Sequence, residues 1–301
     1  MKILNFGSVN IDHVYSVEHF VRPGETMSSL SYSRFSGGKG ANQSIALAKA
    51  GANVFHAGKI CSDGIWLKEN LKKCGVRTDF LKVGDVPTGH AVIQVSKSGE
   101  NSIVLYGGAN QDIDENFASS VIAKFSRNDF ILVQNEINKI PSIMEKAHRK
   151  GMKIVFNPAP MNKQVRSYPL KLVDVFVLNE IEGADLTGKK GFQNVLAEMK
   201  RKYPRALTIM TLGSKGVAYI DDGRTVFVPA VKVKPVDTTA AGDTFIGYFL
   251  AGISKGASTD DAISLACRAA AVCVTRKGAA DSIPKMCEVR KTALASLIRL
   301  R

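Results

Sequence analysis

The chain has 301 residues, 45% hydrophobic and 23% charged, with no low-complexity tract, internal repeat or Pro-rich linker, a globular composition that suits one large α/β domain with a small appendage. Its 41 basic residues exceed the 27 acidic ones by 14, yet no basic run is longer than Lys200-Arg201-Lys202 and no aromatic-rich RNA motif or zinc finger accompanies them, so a dispersed surface that attracts small anions is expected rather than a nucleic-acid partner. No run approaches the length of a membrane span, and five cysteines (Cys61, Cys74, Cys267, Cys273 and Cys287) with no CxxC predict reduced, mostly buried thiols in a cytoplasmic protein, not a disulfide framework or a zinc site.

Residues 1–7 form a short apolar run ending at Gly7, too short for the apolar region of a signal peptide, and predict a first strand over 2–8. A helix follows over 38–50, ended by Gly51, then a strand over 53–60 and a helix over 63–74, ended by Gly75. The run Asp129-Phe130-Ile131-Leu132-Val133-Gln134 predicts a buried strand, with a helix over about 139–150 after it. Strands are expected at 153–157, 172–178 and 206–211, and helices at 243–255, 259–276 and 286–300. This alternation predicts a mostly parallel sheet covered by helices. Residues 13–36 and 88–107 break it: Ala91-Val92-Ile93-Gln94-Val95 and Ser102-Ile103-Val104-Leu105 alternate, with Ser98-Gly99-Glu100-Asn101 as a hairpin turn. They predict a small antiparallel sheet inserted into a core made of 1–12, 37–87 and 108–301. Such a sheet cannot stand alone in water, so it must cover a cleft or pair with another subunit.

Chemistry concentrates where predicted strands end. Asp237-Thr238-Thr239-Ala240-Ala241-Gly242-Asp243-Thr244-Phe245 reads as a small-residue loop entering a helix. Unpaired N–H groups at a helix start can hold an anion, and Asp243 puts a carboxylate beside that site, either as a base or as a helix cap. Asn10 and Asp12, two apart in an extended segment, share a face and could grip vicinal hydroxyls or make an Asx turn. Ser36-Gly37-Gly38-Lys39-Gly40-Ala41-Asn42-Gln43 is a glycine-rich loop opening a helix. It fails the P-loop pattern at Ser33 and Gly40, but Lys39 and Asn42 could both reach a polyol above it. Glu136 follows the strand at 129–134, where open α/β sheets bind ligands. Asn179 and Glu182, three apart, could hold hydrated magnesium near phosphates or cap a helix. Thr211-Leu212-Gly213-Ser214-Lys215-Gly216 could receive nucleotide phosphates or simply connect a hairpin.

With these residues in place, the chain resembles the ribokinase-like, phosphofructokinase-B carbohydrate kinase family essentially end to end. The most specific stretches are Gly37-Gly38-Lys39-Gly40-Ala41-Asn42-Gln43 and residues 237–245, with support from Ser8-Val9-Asn10-Ile11-Asp12-His13, Asn157-Pro158-Ala159-Pro160 and Val274-Thr275-Arg276-Lys277-Gly278-Ala279. The resemblance implies a three-layer, doubly wound, mostly parallel α/β fold with a small antiparallel β lid whose edges form a homodimer. It implies a kinase that uses ATP, with Mg2+, to phosphorylate D-ribose at its 5-hydroxyl. The alternatives are another acceptor of the same family (2-deoxyribose, fructose or adenosine) or, in a different class, a non-catalytic sugar-binding regulator. By position, Asn10, Asp12, Gly38, Lys39, Asn42, Glu136 and Asp243 would contact the sugar, and Asp243 would be the base. Ala240, Ala241 and Gly242 would form the anion hole. Asn179, Thr211, Gly213, Ser214, Lys215, Gly216, Gly242 and Cys267 would line the ATP site, with Glu182 organising Mg2+ indirectly. Asp237, Thr239, Cys273, Arg276, Gly278 and Ser282 match positions around an activating K+, held largely by backbone carbonyls. Asn135 and Cys267 depart from the family pattern, beside the sugar-contacting carboxylate and near the adenine respectively.

Overall fold

The structure is a computed structural model and describes residues 1–221 and 223–291. Nine strands form one sheet in the order β13-β12-β11-β10-β9-β8-β1-β4-β5. They are β1 (Ile3–Phe6), β4 (Val54–Ile60), β5 (Arg77–Val83), β8 (Phe130–Gln134), β9 (Lys153–Asn157), β10 (Val175–Asn179), β11 (Leu207–Thr211), β12 (Gly216–Asp221) and β13 (Arg224–Pro229). All neighbours are parallel except the β11–β12 and β12–β13 pairs at one edge.

Side chains alternate across a strand, and here they divide between two cores. Ile3, Leu132, Val155, Val177 and Ile209 pack on one face with residues of α1 (Lys39–Lys49), α2 (Ile65–Lys73), α7 (Ala241–Ser254) and α8 (Thr259–Cys273). Leu4, Ile131, Ile154, Phe176 and Met210 pack on the other with α3 (Glu115–Ile122), α4 (Ile140–Lys150), α5 (Glu180–Thr187) and α6 (Phe192–Lys202). A sheet apolar on both faces must be covered on both, which is the physical reason for three layers. The close fit of α1 depends on glycine. A Cβ on Gly40 would lie 2.4 Å from the Ser8 nitrogen, and one on Gly247 of α7 would lie 2.3 Å from the Ala46 Cβ.

A second sheet, in the order β3-β2-β6-β7, consists of β2 (Asn10–Ser16), β3 (Ser31–Gly37), β6 (Gly89–Val95) and β7 (Asn101–Tyr106). The expected antiparallel pairing holds for β2–β3 and β6–β7, with Gly99 (φ 84°) in the hairpin turn, but β2 and β6 run parallel. The chain crosses the core through α1, β4, α2 and β5 between them, and a parallel pair requires such a crossover.

Several further differences are local. The strand expected at 172–178 is β10, but it begins only at Val175, after a short 3-10 turn over Leu170–Leu172. The helix expected over 259–276 stops at Cys273, and the one at 243–255 begins at Ala241. Residues 286–291 are helical, and the rest of the helix predicted to 300 lies outside the described residues. All five cysteines are free, but only Cys267 and Cys273 are buried; Cys61 and Cys74 are half-buried and Cys287 is exposed, because it sits on the outer side of the segment after the 274–284 loop. Among the described residues no helix is long and apolar enough to cross a membrane.

Candidate active site

The parallel strands end on one side of the sheet, and the polar residues singled out above follow those ends. There α7 starts at Ala241, after Ala240 in a left-handed conformation (φ 59°). Asp243 is the third residue of the helix, and the helix start has no side-chain cap. Asp243 is therefore not a cap. It lines a polar cleft of about 220 Å³ with Lys39, Asn157, Asn179, Glu182, Thr211, Thr238 and Ala240 to Gly242. A methyl group added to Gly242 would meet nothing within 4 Å, so the helix start opens onto free space. First-turn N–H groups have no intrahelical acceptor and carry the positive end of the helix dipole, chemistry that suits an anion.

Helix α1 delivers the groups facing Asp243. Asn42 donates from Nδ2 to Asp243 Oδ2 at 3.2 Å, and Gln43 donates from Nε2 to Asp243 Oδ1 at 2.8 Å. Asn42 Oδ1 is buried with no hydrogen-bond partner, an acceptor suited to a ligand hydroxyl. Glu136 accepts from the backbone N–H of Lys39 at 2.9 Å and from the Ser8 hydroxyl. Burial of Lys39 on its own would lower its ammonium, but the surrounding carboxylates of Asp243, Glu136 and Glu182 outweigh that and raise it. Burial raises Glu136 and Glu182 despite the pull of Lys39.

Two residues of the second sheet complete the group. Asn10, at the start of β2, accepts through Oδ1 from Asn110 Nδ2 at 2.7 Å. Its backbone nitrogen would lie 3.0 Å from a Cβ on Gly38. Asp12 lies against Gly37, where a Cβ would come within 2.1 Å of its carboxylate. Burial, reinforced by Glu136, pushes the Asp12 carboxyl up to about 7.

The polar cleft continues past Thr211, Thr238, Ala241 and Gly242 into a second cavity of about 690 Å³. Its walls are mostly apolar, including Val217, Val231, Phe245, Ala271 and Val274, with Gly213, Ser214 and Gly216 at the strand-end turn and Cys267 in the wall. Burial pushes the Cys267 thiol up to about 11, so it is a neutral wall group. An anion site leading into an apolar slot is the shape of a nucleotide site. The 211–216 segment connects antiparallel β11 and β12, as the hairpin reading expected, and Thr211, Gly213, Ser214 and Gly216 also line this cavity; Lys215 is instead paired with Glu180 at 3.7 Å.

Asn179 and Glu182 form a reciprocal capping box at α5. Asn179 Oδ1 accepts from Glu182 N at 2.9 Å, and Glu182 accepts from Asn179 N and Nδ2 at 3.0 and 2.9 Å. Each carboxylate oxygen keeps a free lone pair, so the cap and contact with a hydrated cation are compatible. Below the helix start, Asp237 accepts from the N–H groups of Thr239 and Gly278, both at 2.9 Å. Desolvation would raise Asp237, but these hydrogen bonds outweigh it and hold the carboxyl below its ordinary value. Cys273 Sγ lies 3.1 Å from Ser282 Oγ, which donates to Ala279 O at 2.8 Å. The Arg276 guanidinium turns away to Glu288 at 2.6 Å, so only its backbone can face this loop.

Residues 1–286 match the pfkB family carbohydrate kinase description. The chain belongs to this family. Relatives of this pfkB protein include a ribokinase of Haemophilus influenzae, 39% identical over 288 residues covering 92% of this chain and 94% of the relative. Among solved structures, a ribokinase of Cryptococcus neoformans var. grubii serotype A in complex with ADP is 37% identical, with TM-score 0.85, covering 97% of this chain and 99% of that one. A ribokinase of Arabidopsis thaliana complexed with ribose and ATP is 29% identical, with TM-score 0.87, covering 96% and 97%.

The site also brings together residues that the sequence reading did not assign: Ser8, Gln43, Asn110, Gln134, Asn157 and Thr238. Gln134 and Asn157 carried a signal, because each is a polar residue closing an apolar strand run. Asn110 carried none; it lies in a 3-10 turn 100 residues from its partner Asn10. Asn135 faces away from Glu136, bonded to Pro160 O and the Tyr168 hydroxyl, so its departure from the pattern concerns a loop anchor.

Proposed function

We propose that the chain phosphorylates D-ribose at its 5-hydroxyl with ATP, giving ribose 5-phosphate and ADP. The observation that carries this reading is the Asp243 carboxylate, uncapped and aimed into a polar cleft between a helix-start anion site and Lys39. The sugar's 5-oxygen attacks the γ-phosphorus, its proton passes to Asp243, and the bond to the ADP oxygen breaks. Such a base contributes on the order of 10²–10⁴-fold, and the helix-start donors roughly another 10²–10³-fold by stabilising developing charge. Ala240, Ala241 and Gly242 supply that anion hole. Asn10, Asp12, Gly38, Asn42 and Glu136 hold the sugar, with Lys39 balancing their charge. The second sheet closes over the sugar as a lid and excludes water.

The cavity lined by Thr211, Gly213, Ser214, Gly216 and Cys267 takes the nucleotide, with Asn179 at its polar end. Glu182 would organise a hydrated Mg2+, which when bound offsets phosphate charge. The loop of Asp237, Thr239, Cys273, Arg276, Gly278 and Ser282 would hold K+, whose charge would offset the negative charge of the bound phosphates. On β7, an edge strand of the lid, Ile103, Val104, Leu105 and Tyr106 are 49–68% exposed, and a second copy of the chain covers them as a homodimer. Free thiols, one of them exposed, fit a reducing cytoplasm.

A coupled assay of ribose, 2-deoxyribose, fructose and adenosine with ATP, with and without potassium, tests the substrate and the cation together. Ribose should give the highest kcat/KM, and potassium should raise it. Another acceptor ranking first would replace ribose, and no response to potassium would remove the cation. A monomer in sedimentation would remove the pairing.

The sugar affinity should also depend on pH. Asp12 grips hydroxyls best when ionised, and its carboxyl titrates near 7, so the ionised fraction falls as pH drops through that value. Below it the KM for ribose should rise by about tenfold per pH unit, while Asp12→Asn should have a flat, weak profile. A wild-type KM constant from acid to neutral pH would show that Asp12 does not need its charge.

A further inference from the structure

Gln43 is fully buried on α1 and touches Asp243, yet the roles above leave it unused. It is the centre of a chain of carboxamides beneath the cleft. Gln43 Nε2 donates to Asp243 Oδ1 at 2.8 Å and to Asn157 Oδ1 at 3.2 Å. Its Oε1 accepts from Gln134 Nε2 at 2.6 Å, and the same Gln134 nitrogen donates to Asn5 Oδ1 at 3.0 Å. Asn5 Nδ2 then donates to Gly40 O at 2.7 Å and to Ser44 Oγ at 2.8 Å. Asn5 and Gln43 are 0% exposed, Gln134 1% and Asn157 6%, so water does not compete for these contacts.

The direction of every amide hydrogen bond in this chain is fixed. An ionised carboxylate only accepts, so Gln43 must present its NH2 to Asp243 and its carbonyl to Gln134. Gln134 must then donate. At the far ends, the carbonyls of Gly40 and Val177 also only accept, and they require Asn5 and Asn157 to be oriented as observed. Three acceptor-only termini agree on one orientation of four amides. The chain ends at Ser44 and His56, whose ring burial pushes down to about 4, so the far end carries no charge near neutral pH.

We propose that Gln43 is a positioning residue for phosphoryl transfer: Gln134 locks its carboxamide so that a donor is permanently aimed at Asp243, and this holds the carboxylate in line with the acceptor hydroxyl. The inference deepens the kinase reading and rests on it. Gln43 contacts no substrate and cannot accept the proton. A misplacement of the base is felt in turnover, not in binding, because the orientation of the reacting pair is what is lost.

The test is kinetic, on the full chain, with wild type measured first in the ribose and ATP assay. Gln43→Met should lower kcat by about 10- to 100-fold, with KM for ribose and ATP within about threefold of wild type. Gln134 touches neither substrate nor Asp243, and its variants separate orientation from packing. Gln134→Glu keeps the shape, but once ionised at high pH its carboxylate accepts only, so it turns the Gln43 NH2 away from Asp243. Its kcat should fall at least as far as that of Gln134→Met. It should recover relative to wild type as the pH is lowered, since a protonated carboxyl can again donate to Gln43. A folded Gln43→Met with kcat within about twofold of wild type, or a Gln134→Glu whose relative kcat does not change with pH, overturns the proposal. Wild type inert toward every sugar would instead sink the kinase reading, a separately visible result.

Discussion

Asp243→Asn should fold, bind ribose and ATP, and lose turnover by about 10²–10⁴-fold. The side chain is held by two amide donors, Asn42 Nδ2 and Gln43 Nε2, and lines the polar cleft. The carboxamide has almost the same shape, so the packing of α7 against α1 is preserved. It cannot take a proton, and its NH2 must face one of those donors, which turns it from the productive orientation. Single-turnover measurement of phosphoryl transfer at saturating sugar and ATP checks this. Turnover within about tenfold of wild type would remove Asp243 from the base role, whereas loss of sugar binding along with turnover would assign it to holding the substrate.

Gly40→Ala has the largest expected effect on stability. Its Cβ would lie 2.4 Å from Ser8 N, 2.6 Å from Gly7 C and 2.7 Å from Gly7 Cα. All three are backbone atoms, so no side-chain rotation relieves the overlap. Overpacking typically costs 1–3 kcal/mol, and here about 3 kcal/mol or more is expected, which for a chain of this size is a fall of about 5 °C or more in Tm. Gly84→Ala is the control: its Cβ would meet nothing within 4 Å, and Tm should move by about 1 °C or less. Equal melting of Gly40→Ala and wild type would show that α1 can draw back from β1. The same variant should lose activity, because the Gly40 carbonyl anchors Asn5 and the next turn carries Asn42 and Gln43.

Elements with strong local signals were legible in the sequence. The run of β8 is apolar throughout and buried throughout, and α1, α2 and α4 follow glycine-terminated patterns. The reading offered a helix cap at Asn179 and Glu182, where α5 does start, but did not follow the helix onward, because its eight residues include Gly183 and show little amphipathic pattern. It also passed over α6, although Val195, Leu196 and Met199 mark one face of that helix. The edge strand β13 is mostly exposed and β5 mixes charged with apolar positions, so neither shows the unbroken run of a central strand, whereas β12 carries the buried run Val217-Ala218-Tyr219 and was missed despite it. At the site, the motifs flanking Lys39 and Asp243 were legible because helix starts and strand ends have local chemistry. Their joining was not, since Gln43 and Asp243 are 200 residues apart and meet only when α1 packs on α7. The parallel β2–β6 pair was missed for a related reason: strand direction depends on the connection, and alternation of side chains is the same for both directions.

That parallel pair has a consequence for engineering. The covering sheet is not a cassette, because its four strands enter from two separate stretches of chain, Asn10–Gly37 and Gly89–Tyr106, with half of one core face threaded between them. A chimera that exchanges one stretch alone would join a donor's β2 to a host's β6 along seven residue pairs never matched to each other. Altering acceptor choice by grafting therefore needs four splice points moved together.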